Sequence, residues 1–137
     1  MDFNQFTTKS QEIINNSQQL TITNGNQSIE NTHILSAIIE VDQNVFPHIA
    51  KKLGANPDII AKANDSILQS LPKVKGGNIH LSNNLQKSIS ESVSMSKKMK
   101  DDFVSIEHLI LGIIKGSDNT SQLLKDNGFN TKDVMSI

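Results

Sequence analysis

The sequence predicts an all-α domain made of two related halves, and three observations carry this prediction. Residues 29–39 reappear at 104–114 with the histidines and the apolar positions in register, an offset of 75. Apolar residues recur at helical spacing in both halves, and no stretch alternates over a strand's length. Between the halves, a proline and a glycine pair break the pattern. We therefore expect two pseudo-twofold related four-helix repeats in one domain of about eight helices, with repeat one at 1–70, a connector at 71–80 and repeat two at 81–137.

The first helix of each repeat is predicted from a cap followed by an apolar stripe. In repeat two, apolar side chains recur every fourth residue at Leu81, Leu85, Ile89 and Val93. Ser82 is the candidate N-cap of this helix, and Thr7 takes the same place in repeat one, because short hydroxyl side chains satisfy free N–H groups at helix starts.

The second helices, 33–40 and 108–115, are apolar on most sides, which is typical of helices at the centre of a bundle. Ser105 is the expected cap of the later one, with Glu107 in its first turn, where a carboxylate favours the helix dipole.

The third and fourth helices are bounded by glycine and by new caps. Short third helices at 44–53 and 119–126 should end at Gly54 and Gly128 in left-handed conformation. The fourth helix of repeat one should start at Asn56-Pro57 and run to about residue 70. Thr131 is the expected start of its equivalent.

Composition excludes several function classes. The 137 residues contain no cysteine, so there is no disulfide framework, thiolate zinc site or thiol nucleophile. A net charge of −1, no arginine and five phenylalanines as the only aromatics disfavour a nucleic-acid partner. A helical nucleic-acid binder using the Lys97, Lys98 and Lys100 cluster stays as an alternative. With no signal peptide and no apolar run of about 20 residues, we expect a soluble, cytoplasmic protein.

No catalytic motif occurs, and the histidines have two interpretations. There is no phosphate-binding loop, nucleophile elbow or His-Glu-x-x-His sequence. His33 and His108, with Glu107, could form a metal or acid–base site. Repeat symmetry explains their recurrence without a site, as helix-start histidines that hydrogen-bond near the packing between repeats, and we favour that structural interpretation.

Two further sets are candidates for recognition. The first set is polar and consists of Thr7, Asp101 and Glu107. Taken singly, Thr7 and Glu107 are residues at helix starts and Asp101 is an acid in a loop. Taken together, they would form a polar rim beside a groove between the halves. Met95 and Met99 lie off the apolar stripe of their helix, and are either gap-filling residues or an adaptable apolar surface patch.

The duplicated pattern, Phe6-Thr7 or Leu81-Ser82 followed by a histidine-centred apolar helix, resembles the Clp N-terminal domain of AAA+ unfoldases. The connector 71–76, Leu-Pro-Lys-Val-Lys-Gly, is similar to the ClpB disaggregase branch. The ClpC-like branch has Glu before both histidines, whereas Thr32 precedes His33 here, which also favours the ClpB branch.

The resemblance implies a non-enzymatic module that captures exposed apolar segments of unfolded or aggregated proteins. Its substrate-binding residues would be Thr7, Asp101 and Glu107 on a polar rim, with Ile89 and Met95 on the apolar side of the groove. It implies ATPase modules downstream in the same chain, a homohexamer of the full-length protein, a monomeric fragment, and possible adaptor proteins as in ClpC and ClpA. No metal or cofactor is expected in this fragment, since ATP and magnesium would belong to the downstream modules.

Overall fold

The computed structural model describes residues 3–137 and places eight helices and two short strands in them. Repeat one contains α1 to α4, and repeat two contains α5 to α8, in the predicted order. The elements are α1 (Thr8–Thr23), β1 (Ser28–Ile29), α2 (Asn31–Val41), α3 (Val45–Lys52), α4 (Pro57–Gln69), β2 (His80–Leu81), α5 (Asn83–Lys98), α6 (Ile106–Ile114), α7 (Asn119–Asp126) and α8 (Thr131–Met135). The all-α prediction is confirmed. No helix in residues 3–137 has the length and apolar character needed to cross a membrane.

Short parallel backbone pairings join the two repeats, a feature that the sequence did not predict. Strand β1 pairs in parallel with β2, with Ile29 opposite Leu81, and a separate parallel bridge joins Phe6 to Val104. We call residues 75 positions apart counterparts, and these two pairings are counterparts of each other. The segment before the first helix of each repeat therefore binds the segment before the second helix of the other, which ties the repeats together symmetrically. Leu81 lies in β2, so the helical stripe of α5 starts at Leu85.

The second helices form the centre of the molecule, as predicted. In α6 every residue is buried except Glu107. Helix α2 is buried along its first five residues and again at Ala37 and Ile38. A helix surrounded by protein needs apolar residues on most sides, which explains the continuous apolar runs.

Helices α5 and α6 cross so closely that one position admits only glycine. A Cβ on Gly112 would overlap the backbone carbonyl oxygen of Ser88 and the hydroxyl of Ser92. Ser88, Ser92 and Ser96 are buried along this face of α5, and small side chains there allow the two backbones to approach. In repeat one the counterpart of Gly112 is Ala37.

The predicted helix ends are largely correct. Thr7 and Ser82 accept N–H groups of Ser10 and Leu85, and Gly54 and Gly128 are left-handed. Helix α8 starts at Thr131, as predicted, and Asn130 is its N-cap because its side chain accepts the N–H of Asp133. An asparagine is among the preferred residues at this position.

Packing between the repeats involves an aromatic pair. Phe46 of α3 stacks on Phe129, which precedes α8, with ring centroids 5.7 Å apart, and both rings are buried. The fourth helices differ in length, with 13 residues in α4 and five in α8. This difference leaves one side of the contact between repeats open.

Candidate functional site

A groove of about 680 Å³ lies between the repeats. Its walls come from α3 of repeat one and from α6, α8 and the end of α5 of repeat two. The lining is mainly apolar, with polar groups contributed by the two residues before α3, by His48 and by Glu107. The lining residues are Gln43, Asn44, Val45, His48, Ile49, Met99, Glu107, Val134, Met135 and Ile137.

Three side chains converge at the edge of this groove. Asp101, Glu107 and His108 each bring a carboxylate oxygen or ring nitrogen within 4.8 Å of the others. Glu107 is half-buried, Asp101 is exposed and His108 is buried. Of the predicted rim residues, the structure thus brings Asp101 and Glu107 together, in the loop after α5 and the first turn of α6.

The hydrogen bonds of His108 show which ring nitrogen carries its proton. Nδ1 accepts the backbone N–H of Ser105 at 2.9 Å, so the neutral ring is protonated at Nε2. Nε2 lies 2.8 Å from Oδ2 of Asp101 and donates to it. A metal on Nε2 would require the proton to move to Nδ1, which faces an N–H donor, and this arrangement therefore opposes the metal interpretation.

Repeat one has the counterpart of this pair in a closed, neutral form. His33 Nδ1 accepts the N–H of Glu30 at 2.9 Å, and Nε2 donates to Oδ1 of Asn26 at 2.9 Å. The connector covers this pair, because Asn26 donates its amide to the carbonyl of Pro72 at 3.0 Å. Burial lowers the pKa of His33 to about 4, against the small opposing effect of the Glu30 hydrogen bond. Both histidines therefore start helices as the structural interpretation predicts.

The backbone of Thr7 contacts the segment that precedes Glu107. Its N–H donates to the carbonyl of Val104 at 3.0 Å, three residues before Glu107 in the chain. Its hydroxyl donates to Ser10 Oγ and accepts the Ser10 N–H, so this side chain caps α1. The structure therefore accounts for Thr7 as the cap of α1, with its backbone bonded to the segment that precedes α6.

The predicted surface role of two apolar residues is corrected. Ile89 and Met95 are 2% and 1% exposed, and both belong to the core, so neither contributes a surface in this conformation. Met95 lies on the same buried face of α5 as Ser92 and Ser96. This face is outside the stripe that apolar residues at every fourth position predict. Met99 is half-buried and does line the groove, as the patch interpretation predicts.

Sequence reasoning missed several groove residues. Val45, Met135 and Ile137 line the groove, and all three are apolar and at least partly exposed. Each is a single apolar residue near a helix end, which carries no periodic signal. Their grouping depends on the packing of one repeat against the other.

A second cavity, of about 300 Å³, has a different chemistry. It lies between the start of α2, α5, and the end of α6 with the loop that follows it, and is lined mainly by polar and charged groups, including Asn31, Lys87, Glu91 and Asp118. Asn31 donates to Ser88 Oγ and to Asp118 Oδ2, while its own oxygen has no partner among the described residues. The apolar groove rather than this cavity therefore suits an apolar ligand.

Comparison with known families decides the relationship. A family model for the Clp repeat N-terminal domain matches residues 5–127, most of the chain. The chain belongs to the Clp repeat N-terminal domain family. In this Clp N-terminal domain the match extends from repeat one into repeat two and ends at residue 127, before α8.

Curated relatives support the ClpB branch. The domain is 39% identical over 134 residues to the chaperone protein ClpB of Bacteroides thetaiotaomicron, covering 98% of this chain and 16% of that protein. It is 35% identical over 128 residues to ClpB of Porphyromonas gingivalis, covering 93% and 15%. The chain thus spans about one sixth of the length of these relatives.

Solved structures share the fold at low identity. The Hsp104 N-terminal domain of Candida albicans has a TM-score of 0.83 at 18% identity, with 97% of this chain and 88% of that chain covered. The N-terminal domain of ClpV1 ATPase from E. coli has a TM-score of 0.84 at 12% identity, with 98% and 83% covered. The N-terminal domain of ClpD from Arabidopsis thaliana has a TM-score of 0.70 at 20% identity, with 98% of each chain covered.

Proposed function

We propose that this domain is the substrate-recognition module of a ClpB-type disaggregase and that exposed apolar segments of unfolded or aggregated proteins bind in the groove between the repeats. The observation that carries the proposal is the groove itself, which is open and mainly apolar, with Glu107 in its lining and Asp101 next to Glu107. Because burial of apolar area drives association without directional requirements, such a surface accepts many sequences.

The composition of the groove favours weak and reversible binding. Met99 and Met135 are flexible, polarizable side chains that adapt to different partners. The lining contains no tryptophan or tyrosine, the residues that most often dominate tight interfaces. A module that passes its clients onward needs this reversibility.

The rim residues have distinct proposed roles. Glu107 and Asp101 would hydrogen-bond the client at the acidic end of the groove, and Thr7 would fix the start of α1 beside them. Ile89 and Met95 would act only indirectly, as core residues behind the surface. Their burial makes direct client contact dependent on a rearrangement of α5.

The role of the whole protein extends this proposal. Its relatives are about six times longer than this chain. We propose that the domain itself catalyses no reaction, that ATPase modules of the same chain form a cytoplasmic homohexamer, and that the domain delivers clients to them. Docking of adaptor proteins, as in ClpC-type unfoldases, is the alternative use of the same groove.

The test introduces a charge into the groove and, separately, on another apolar surface. Met135→Glu places a carboxylate on the half-buried α8 wall, and should weaken binding of fluorescein-labelled β-casein, an unfolded protein, by about tenfold or more. Ile59→Glu is the matched control, because Ile59 is 57% exposed on α4 and does not line the groove. Fluorescence anisotropy at low salt measures both affinities.

Several outcomes would contradict the proposal. If the unmodified domain does not bind β-casein, direct client capture is wrong and adaptor docking is favoured. If both variants lose affinity equally, the groove is not the site. A parallel titration with duplex DNA at low salt should show no binding, and binding there would favour the nucleic-acid alternative based on Lys97, Lys98 and Lys100.

A further inference from the structure

The two histidine pairs differ at one chemically decisive position. His33 donates to the amide of Asn26, and its counterpart His108 donates to the carboxylate of Asp101. Asn26 is 6% exposed, whereas 46% of the Asp101 side chain is exposed. At this position repeat two therefore has an accessible charged acceptor, where repeat one has a buried neutral amide.

The orientation of Asp101 is constrained on both sides. On one side, buried His108 presents Nε2–H to Oδ2, and its own Nδ1 is held by the Ser105 N–H. On the other, Lys100 is left-handed, with φ of 60°, and the N–H of Asp101 donates to the carbonyl of Ser96 at 2.8 Å. A non-glycine residue rarely adopts this conformation, so the turn that directs Asp101 costs conformational energy.

From this geometry we infer that His108 is a positioning residue for client binding: it fixes the Asp101 carboxylate as a hydrogen-bond acceptor for backbone N–H groups of an extended client segment at the end of the groove. The inference rests on the proposed function. An extended segment carries unpaired N–H donors whatever its sequence, so a fixed acceptor adds affinity without selecting side chains. A charged acceptor with a preset orientation makes a stronger bond than a neutral or mobile one.

Asp101→Asn separates charge from structure, because it copies the His–Asn pair that repeat one already contains. The variant should keep the melting temperature of the unmodified domain and bind β-casein about tenfold more weakly, the effect expected for one hydrogen bond to a charged group. His108→Leu should weaken binding to a similar degree. The double variant should bind no more weakly than Asp101→Asn, because the two residues act as one unit.

A spectroscopic measurement keeps the inference testable if His108→Leu fails to fold. Long-range ¹⁵N–¹H NMR correlations of the unmodified domain should show the proton of the neutral His108 ring at Nε2. Protonation at Nδ1 would overturn the inference, as would fully additive losses in the two single variants or unchanged binding in folded His108→Leu. If the unmodified domain does not bind β-casein, the proposed function fails instead.

Discussion

The two repeats have the same order of four helices and differ in what covers one surface of each. In repeat one the connector and α4 cover the surface that corresponds to the groove. Asn64 of α4 donates to the carbonyl of Thr32 and to Ser36 Oγ, and Thr32 donates to Asn64 Oδ1 at 2.7 Å. In repeat two, Glu107 is the counterpart of Thr32, and it lines an open groove beside the five-residue α8. The comparison shows how a duplicated structural position became a candidate binding site.

The largest expected difference in stability between the repeats lies where the first helix of a repeat crosses the second, at α1 and α2 or at α5 and α6. Gly112→Ala should lower the free energy of unfolding by about 3 kcal/mol, because the added methyl overlaps a backbone carbonyl in a close-packed crossing. Ala37→Gly, the reverse change at the counterpart, should cost about 1 kcal/mol through lost helix propensity. Urea denaturation measures both values. Equal effects would mean that the two crossings are not packed differently.

The buried histidine of repeat one, His33, should make the free energy of unfolding depend on pH. The pKa of His33 is about 4 in the folded domain and 6.5 in an unfolded chain, so the unfolded state binds the proton first as the pH falls. The contribution of His33 to the free energy of unfolding should be constant above pH 6.5, and it should fall by about 1.4 kcal/mol per pH unit between pH 6.5 and 4. The interval from 6.5 to 5.5 is diagnostic, because carboxylates titrate mainly below it.

Urea denaturation across that interval tests the prediction. His33→Gln removes the titrating ring and should flatten the slope, whatever its own stability. A slope that is unchanged in this variant would show that another group is responsible, and that the closed site of repeat one does not keep its histidine neutral.

The smallest effect is expected at a pair of left-handed counterparts. Gly25, with φ of 73°, corresponds to Lys100, with φ of 60°. Lys100→Gly should raise the free energy of unfolding by about 1 kcal/mol, and Gly25→Ala should lower it by a similar amount. A Cβ at Gly25 would make only ordinary contacts with the Lys73 side chain, so backbone strain decides the result. Effects of the same sign in both variants would contradict the argument.

Local rules predicted the helices well and the site only in part. Caps such as Thr7 and Ser82 and the left-handed Gly54 depend on neighbouring residues, so they could be read directly from the chain. The sequence predicts a rim of Thr7, Asp101 and Glu107, and the structure brings the side chains of Asp101 and Glu107 together, while the Thr7 hydroxyl caps α1. Met95 was misplaced because its burial depends on where α6 crosses α5. The β1–β2 and Phe6–Val104 pairings were missed because two-residue strands and single bridges have no periodicity.

The sequence by itself determined the fold class and the duplication. Both follow from apolar spacing and from residues that recur at a constant offset, and these patterns reflect local hydrogen bonding and the burial of one helix face. Only the tertiary structure decided that one repeat is closed and the other open. That outcome depends on contacts between residues far apart in the chain, such as Asn26 with Pro72 and Thr32 with Asn64, which no local pattern records.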